Sequence, residues 1–373
     1  MTHLASLTLR GFKTIRDLTD FQPGQITILI GPNGAGKSNF ISFFRLLSRA
    51  FTDPDGLQTY IAMQGGASGL LHDGPTRTRD IEAALRFDAD DANYEYGFRL
   101  SYAGGDTLIF AEESYILGIP GGLPGVLPPR TQLGSGHREP QLLSEAQRPA
   151  RFVEVLIRNS IRRIAIHQFH DTSPSSRMKS KWAIDDGGLL KEDGGNLAAV
   201  LFRLYGDRPT YYRRIVETLR LLLPFFADFY LEPEFGHVIL KWRERNSDRI
   251  FGASQAADGM LRAMALVTLL QQPEADLPNV LILDEPELGL HPYAIEVLAA
   301  LIQSASQHCQ VIVATQSVSL IDRFEPHDIV VVDRKGRESS FRRLNDADLA
   351  AWREEYTMSE LWEKNVLGGR PAR

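Results

Sequence analysis

The apolar run Ile26-Thr27-Ile28-Leu29-Ile30 passes directly into Gly31-Pro32-Asn33-Gly34-Ala35-Gly36-Lys37-Ser38, and a helical pattern follows from Asn39 to Leu47. A strand that turns through glycines into a helix start aims successive backbone N–H groups at one spot, and small residues let them converge there on an anion. Gly31, Gly36, Lys37 and Ser38 have the spacing of such a phosphate loop, and the flanking strand and helix separate it from a chance glycine-rich turn. In that arrangement Lys37 neutralises the β- and γ-phosphates, and the Ser38 hydroxyl ligates Mg²⁺. Pro32, Asn33, Gly34, Ala35 and Asn39 complete the expected cradle.

The 373 residues carry 41 Lys and Arg against 47 Asp and Glu, a formal charge of −6. Without a global basic field, contact with nucleic acid has to come from a local patch. The single cysteine, Cys309, excludes an intrachain disulfide and a cysteine-based zinc site, and suits a reducing compartment. The Gln310-Val311-Ile312-Val313 that follows it predicts a buried thiol at a strand edge. Met1 to Leu7 has neither the basic n-region nor the apolar h-region of a secretory signal, and the greasiest run, Leu221 to Phe226, is broken by Pro224. The expectation is a cytoplasmic protein without a membrane span.

Leu7 to Lys13 alternates and predicts a half-exposed edge strand ahead of the glycine loop. Ile81–Phe87, Tyr94–Tyr102 and Thr107–Ile116 alternate too, and the turns between them predict an antiparallel meander. Ile119 to Pro140, rich in Gly and Pro, predicts an irregular loop. A helix over Ser144–Ile161 and a strand at Ile164–Ile166 come next. Asn196–Tyr205 and Thr210–Leu223 read as two amphipathic helices, a helical lid inserted between sheet elements. Tyr211 and Tyr212, beside Arg213-Arg214, could stack on bases, but their helical spacing favours packing of the lid.

Further on, His237–Trp242 predicts a strand and Gly259–Gln272 a helix. Asn279–Leu283 reads as a central parallel strand buried on both faces. A helix over Tyr293–Ala305 and strands at Val311–Ala314 and Ile329–Val332 complete the pattern. No heptad repeat is sustained between Ser38 and Asp284, so no coiled-coil arm is expected. The sequence predicts one α/β domain, with an N-terminal lobe over 1–140, the lid over 141–235 and a C-terminal lobe over 236–373.

Asp284 and Glu285 end the apolar strand, where open α/β sheets bind their ligands. The first acid is placed to hold Mg²⁺ opposite Ser38, and the second to act as general base on an attacking water. Asp284 to Pro292, Gly31 to Ser38 and Ala256 to Arg262 together resemble the ABC-type ATPases of the SMC, RecF and OLD-like group. More narrowly, the chain is similar to stand-alone bacterial AAA-family ATPases, from Gly11-Phe12-Lys13 through His170 to Pro174 and on to Leu361–Gly369.

The resemblance implies a P-loop NTPase of ABC/SMC-head type using ATP and Mg²⁺. It also implies an ATP-dependent homodimer, in which Asp258 and Gly259 at the start of one copy's helix close over the γ-phosphate held by the other. Two positions depart from the pattern. Ala257 replaces the usual serine before Asp-Gly, and Gln316 occupies the switch position where many relatives carry histidine, which leaves more of the chemistry to Glu285. Gln168, His170 and Asp171 fall where such ATPases place a loop that senses Mg²⁺ and moves the lid, although His170-Asp171 also fits a surface turn.

The expected function is ATP binding and hydrolysis, with closure coupled to a partner protein or DNA. The alternative is a slow or inactive nucleotide-gated scaffold that regulates an effector such as a nuclease in anti-phage defence. Basic clusters at Arg158-Arg162-Arg163, Arg213-Arg214, Lys241-Arg243-Arg245 and Arg334 to Arg343 offer a DNA surface or plain solvated faces. No nuclease constellation can be assembled from the chain's own residues.

Overall fold

The computed structural model describes residues 2–89, 92–118, 129–146, 152–345, 356–364 and 366. Strands β1 (His3–Phe12) and β2 (Ile15–Phe21) precede β3 (Ile26–Ile30), which runs through the glycine loop into α1 (Lys37–Thr52) and then α2 (Gly56–Met63). The meander is β4 (Asp80–Ala89), β5 (Ala92–Ala103), β6 (Thr107–Gly118) and β7 (Arg130–Gly134). Helices α3 (Gln141–Glu145) and α4 (Phe152–Arg162) lead to β8 (Ile164–His167). The chain continues through β9 (Trp182–Ala183), α5 (Leu197–Asp207), α6 (Pro209–Leu222), β10 (Phe226–Phe229), β11 (His237–Val238), β12 (Lys241–Glu244) and β13 (Ile250–Gly252). Then come α7 (Asp258–Leu270), β14 (Val280–Asp284), α8 (Pro292–Ala305), β15 (Gln310–Thr315), α9 (Val318–Ile321), β16 (Ile329–Lys335), β17 (Glu338–Arg343) and α10 (Met358–Glu363).

Two six-stranded sheets carry the fold: an antiparallel one in the order β2-β1-β4-β5-β6-β7, and a largely parallel one in the order β17-β16-β3-β15-β14-β8. All five residues of β14 are buried. Val280 and Ile282 enter the core shared with α1 and the antiparallel sheet, while Leu281 and Leu283 enter the core shared with α5 to α8. A strand covered on both faces in this way carries continuous apolar sequence, as the Asn279–Leu283 run predicts. On α1, Phe40, Phe43, Phe44 and Leu47 point into the core under the antiparallel sheet, which fixes the loop at its N-terminus against both sheets. The longest helix among the described residues is α1, with 16 residues, and none of them forms a helix long and apolar enough to cross a membrane.

The sequence reading needs correction in several places. Strand β1 lies inside its sheet between β2 and β4, with Leu4, Leu7, Leu9 and Phe12 fully buried, so it is no half-exposed edge; β2 is the edge. The stretch expected to be an irregular loop over Ile119–Pro140 contains β7, which pairs with β6 from Glu113↔Gly134 to Ile116↔Arg130; residues 119–128 lie outside the described residues. Helical structure expected over Ser144–Ile161 occurs as α3 and α4, with 147–151 outside the described residues. The strand expected over His237–Trp242 is split: β11 pairs with β9, and β12 sits between β10 and β13. Of the C-terminal stretch Leu361–Gly369, residues 365 and 367–369 lie outside the described residues.

Candidate nucleotide site

Register alone brings the chemical residues to one edge. Ile30 on β3 pairs with Thr315 on β15, Ala314 pairs with Asp284 on β14, and Leu283 pairs with His167 on β8. The next residue along each strand is therefore Gly31, Gln316, Glu285 or Gln168, all at the C-terminal end of the parallel sheet. Phosphate-binding crevices of open α/β sheets form at that edge.

The glycine loop is pinned from below. Ser339 Oγ on β17 lies 2.6 Å from both Ala35 O and Thr14 Oγ1, so its one proton goes to the carbonyl and the Thr14 hydroxyl donates to it, while Asn39 Nδ2 donates to Thr14 Oγ1 at 2.7 Å. Asn39 thus braces the loop from its side. Gly36 has φ +122°, and a Cβ there would lie 2.1 Å from Ser339 Oγ, so only glycine fits. Gly36 is also the N-cap of α1 and gives no side-chain cap. The first-turn N–H groups, which lack helical acceptors, are left for an anion. Asn33, Gly34 and Ser38 are exposed and Pro32 half-buried, while Arg334 Nη1 reaches Gly34 O at 3.4 Å.

Lys37 is buried, and its Nζ donates to Gly31 O at 2.5 Å and Pro32 O at 3.2 Å. Burial lowers its pKa from the usual lysine value, while Glu285, Asp284 and Glu287 pull it back up. The three carboxylates behave differently from one another. Burial raises the Asp284 carboxyl above the usual range, opposed first by Arg45 on α1, whose Nη2 stands 3.9 Å from Asp284 Oδ2. Glu285 is half-buried at φ +46°, a left-handed conformation that a non-glycine residue adopts at a cost, and its N–H is held by Ala314 O at 2.8 Å. Gln316 Nε2 donates to Glu285 Oε1, so the two side chains already touch.

Glu287 is a third acid, to which the sequence reading gave no role. Thr315 Oγ1 donates to its Oε1 at 2.5 Å, its Oε2 is buried without a hydrogen-bond partner among the described residues, and burial raises its pKa. Arg45 is a second such residue. It donates to Glu192 Oε1 and to Gln168 Oε1, each at 2.6 Å, and so ties α1 to the segment after β8. One basic residue on a helix gives no pattern by which sequence could have found it.

Helix α7 starts with Ala257 as an exposed N-cap that makes no side-chain cap, and Asp258 is exposed in the first turn. A Cβ on Gly259 would lie 2.6 Å from Gly289 O, so this helix start packs backbone to backbone against the stretch after β14. Arg262, one turn on, donates to Phe169 O at 3.1 Å, His170 O at 3.0 Å and Leu288 O at 3.1 Å. Asp258 is thus exposed and Gly259 half-buried where α7 meets the Leu288-Gly289 stretch, of which Leu288 is exposed.

Residues 26–322 match the family described as "AAA domain, putative AbiEii toxin, Type IV TA system". The chain belongs to this family. By family it carries an AAA domain, and by fold it is like an Smc head. A 43-residue segment is 54% identical to the chromosome partition protein Smc of Burkholderia pseudomallei (strain 1710b), covering 11% of this chain and 4% of that protein. A 101-residue segment is 31% identical to urease accessory protein 2 of Cryptococcus neoformans var. grubii serotype A, covering 26% of this chain and 8% of that one. The chain thus spans only a small part of the curated relatives it matches.

Among solved structures, an Smc head bound to the C-winged helix domain of ScpA aligns with 93% of this chain and 99% of its own, at TM-score 0.62 and 17% identity. The Smc head domain with an extended coiled coil from Pyrococcus furiosus aligns with 95% and 99%, at TM-score 0.61 and 16% identity. At these identities the likeness is one of fold: the α/β P-loop architecture of Smc heads.

P-loop ATPases of this kind normally use ATP and Mg²⁺. The donor set fits them: an uncapped helix start and Lys37 for phosphate, and the hard oxygens of Ser38 and Asp284 for Mg²⁺. Among the described residues no group of three His, Cys, Asp or Glu side chains could hold a metal alone.

Proposed function

We propose that this protein binds Mg·ATP and hydrolyses it, and that it does so as a homodimer closed around two nucleotides. The observation that carries this reading is the convergence of Lys37, Asp284, Glu285 and Gln316 at the C-terminal ends of β3, β14 and β15. Lys37 would leave its loop carbonyls for phosphate oxygens. Ser38 and Asp284 would hold Mg²⁺, which supplies charge neutralisation at the phosphates. Glu285 would take the proton of the attacking water, with Gln316 orienting its carboxylate. Asp258 is exposed at the start of α7, and it and Gly259 would complete the partner copy's site, as the uncapped start of α7 suits an anion.

Closure would move the lid and engage a partner protein or DNA. Regulation of an effector such as a nuclease in anti-phage defence is the second reading, with this chain as a slow nucleotide-gated scaffold. Ala257 and Gln316 favour it: the first brings no hydroxyl to the dimer contact, and the second cannot take up a proton. Steady-state phosphate release by wild type and Glu285→Gln separates the two. Turnover by wild type, abolished in Glu285→Gln, supports hydrolysis; ATP binding by both without release above background supports the scaffold.

A further inference from the structure

His170 Nε2 is buried and has no hydrogen-bond partner among the described residues, although it lies 4.0 Å from Glu285 Oε2. That is about 1 Å beyond hydrogen-bond range. The ring's tautomer follows from its other neighbours. Arg45 Nη2 can only donate, and it donates to Gln168 Oε1 at 2.6 Å. This fixes the amide with its NH₂ toward His170, and Gln168 Nε2 faces His170 Nδ1 at 2.9 Å. Nδ1 must accept there, so the neutral imidazole carries its proton on Nε2, the nitrogen aimed at Glu285. A doubly protonated ring would set two donors face to face.

We propose that His170 is a positioning residue for Glu285: its Nε2–H donates to Glu285 Oε2 when the site closes, supplying the imidazole that position 316 lacks. With Gln316 on Oε1 and His170 on Oε2, the carboxylate is held from two sides and keeps lone pairs for a water proton. Arg262 gives the contact a mechanical link. Its donation to His170 O, Phe169 O and Leu288 O hangs the His170 backbone on α7, so displacement of α7 changes the Nε2 to Oε2 gap. The relay from Arg45 through Gln168 and His170 to Glu285 joins α1, the segment after β8 and the end of β14.

This inference rests on the hydrolysis reading, and its test separates the two. Phosphate release and equilibrium ATP binding are measured for wild type, Glu285→Gln, His170→Ala and His170→Gln. His170→Ala is expected to lower kcat by about tenfold, the loss of one hydrogen bond to a charged group, with ATP affinity changed by less than about twofold. His170→Gln, whose amide can donate, recovers part of kcat. Nitrogen-15 histidine NMR on the full chain, assigned with His170→Ala, is expected to show the Nε2–H tautomer, and Gln168→Ala to lose that preference.

A neutral ring with its proton on Nδ1 overturns the proposal whatever the kinetics. Equal kcat for wild type and His170→Ala, with Glu285→Gln inactive, overturns the positioning role alone. Wild-type release no faster than that of Glu285→Gln sinks the hydrolysis reading, and this role with it.

Discussion

Arg45 Nη2 stands 3.9 Å from Asp284 Oδ2 while the same guanidinium donates to Glu192 Oε1 and Gln168 Oε1, each at 2.6 Å. One fork on α1 thus balances the acid at the end of β14 and orders the segment after β8. Arg45→Met leaves Asp284 buried without its nearest counter-charge and frees Gln168, so a loss of about 1–3 kcal/mol is expected. Arg45→Lys keeps the charge but cannot span both acceptors while facing Asp284, and recovers less than half of that loss. Urea midpoints of the three proteins, compared at equal m-value, check both statements.

Lys37 is held by Gly31 O and Pro32 O and has its charge favoured by Glu285, Asp284 and Glu287. Lys37→Met removes the only positive side chain on the glycine loop while retaining most of its length. ATP affinity is expected to fall by about 10- to 150-fold, the equivalent of one strong charge-assisted contact. Titration with a fluorescent ATP analogue measures it, and the unfolding midpoint reports whether the fold is kept.

Gly36→Ala meets two obstacles: φ +122°, and a Cβ that would sit 2.1 Å from Ser339 Oγ. Ser339→Ala in the same chain removes the second obstacle and leaves the first. The single substitution is expected to cost about 2 kcal/mol or more and to abolish ATP binding. The double substitution should regain part of the stability and none of the binding, because the loop still cannot take the conformation that aims its N–H groups.

How much of this site the sequence discloses depends on how local each signal is. The glycine loop, the Asp284-Glu285 pair and the two-sided burial of β14 are legible because residue type, spacing and strand length all lie within a few positions. The meander was legible for the same reason. Arg45, the Thr14-Ser339 brace and the Arg262 ties depend on side chains 147, 325 and 93 positions from their partners, and no local pattern encodes such pairings. Strand β1 misled because its alternation suits a one-sided strand, whereas β2 folds back beside it and takes the edge.

Glu287 offers a test in pH. Burial raises its folded-state pKa above the ordinary 4.5, and its Oε2 has no partner among the described residues. Between 4.5 and the raised value the folded protein holds a proton that the unfolded chain has lost, so stability falls as pH rises through that window. Glu287→Gln keeps an acceptor for Thr315 Oγ1 and removes the charge. It is expected to be more stable than wild type by about 1 kcal/mol at neutral pH. The advantage should shrink on acidification through the window and be gone below it. Thermal unfolding of both proteins from neutral to acidic pH gives the curve.

Ala257 carries the last prediction, because it is the exposed N-cap of α7 and stands where a hydroxyl would face the partner's triphosphate in the proposed dimer. Glu285→Gln should trap ATP and shift from monomer to dimer on sizing with Mg·ATP. Adding Ala257→Ser supplies a donor worth roughly 1.5–3 kcal/mol to a charged phosphate, so the trapped dimer is expected to tighten by about tenfold or more. Serine also caps α7 in the monomer, for roughly 0.5–2 kcal/mol of helix stability, so the unfolding midpoint rises with or without nucleotide. Only the dimer constant, from sedimentation at several protein concentrations, separates the two effects. Ala257→Glu should block association by setting a negative charge against the triphosphate while leaving monomer ATP binding intact. A dimer indifferent to both substitutions would mean that α7 does not reach the partner's nucleotide.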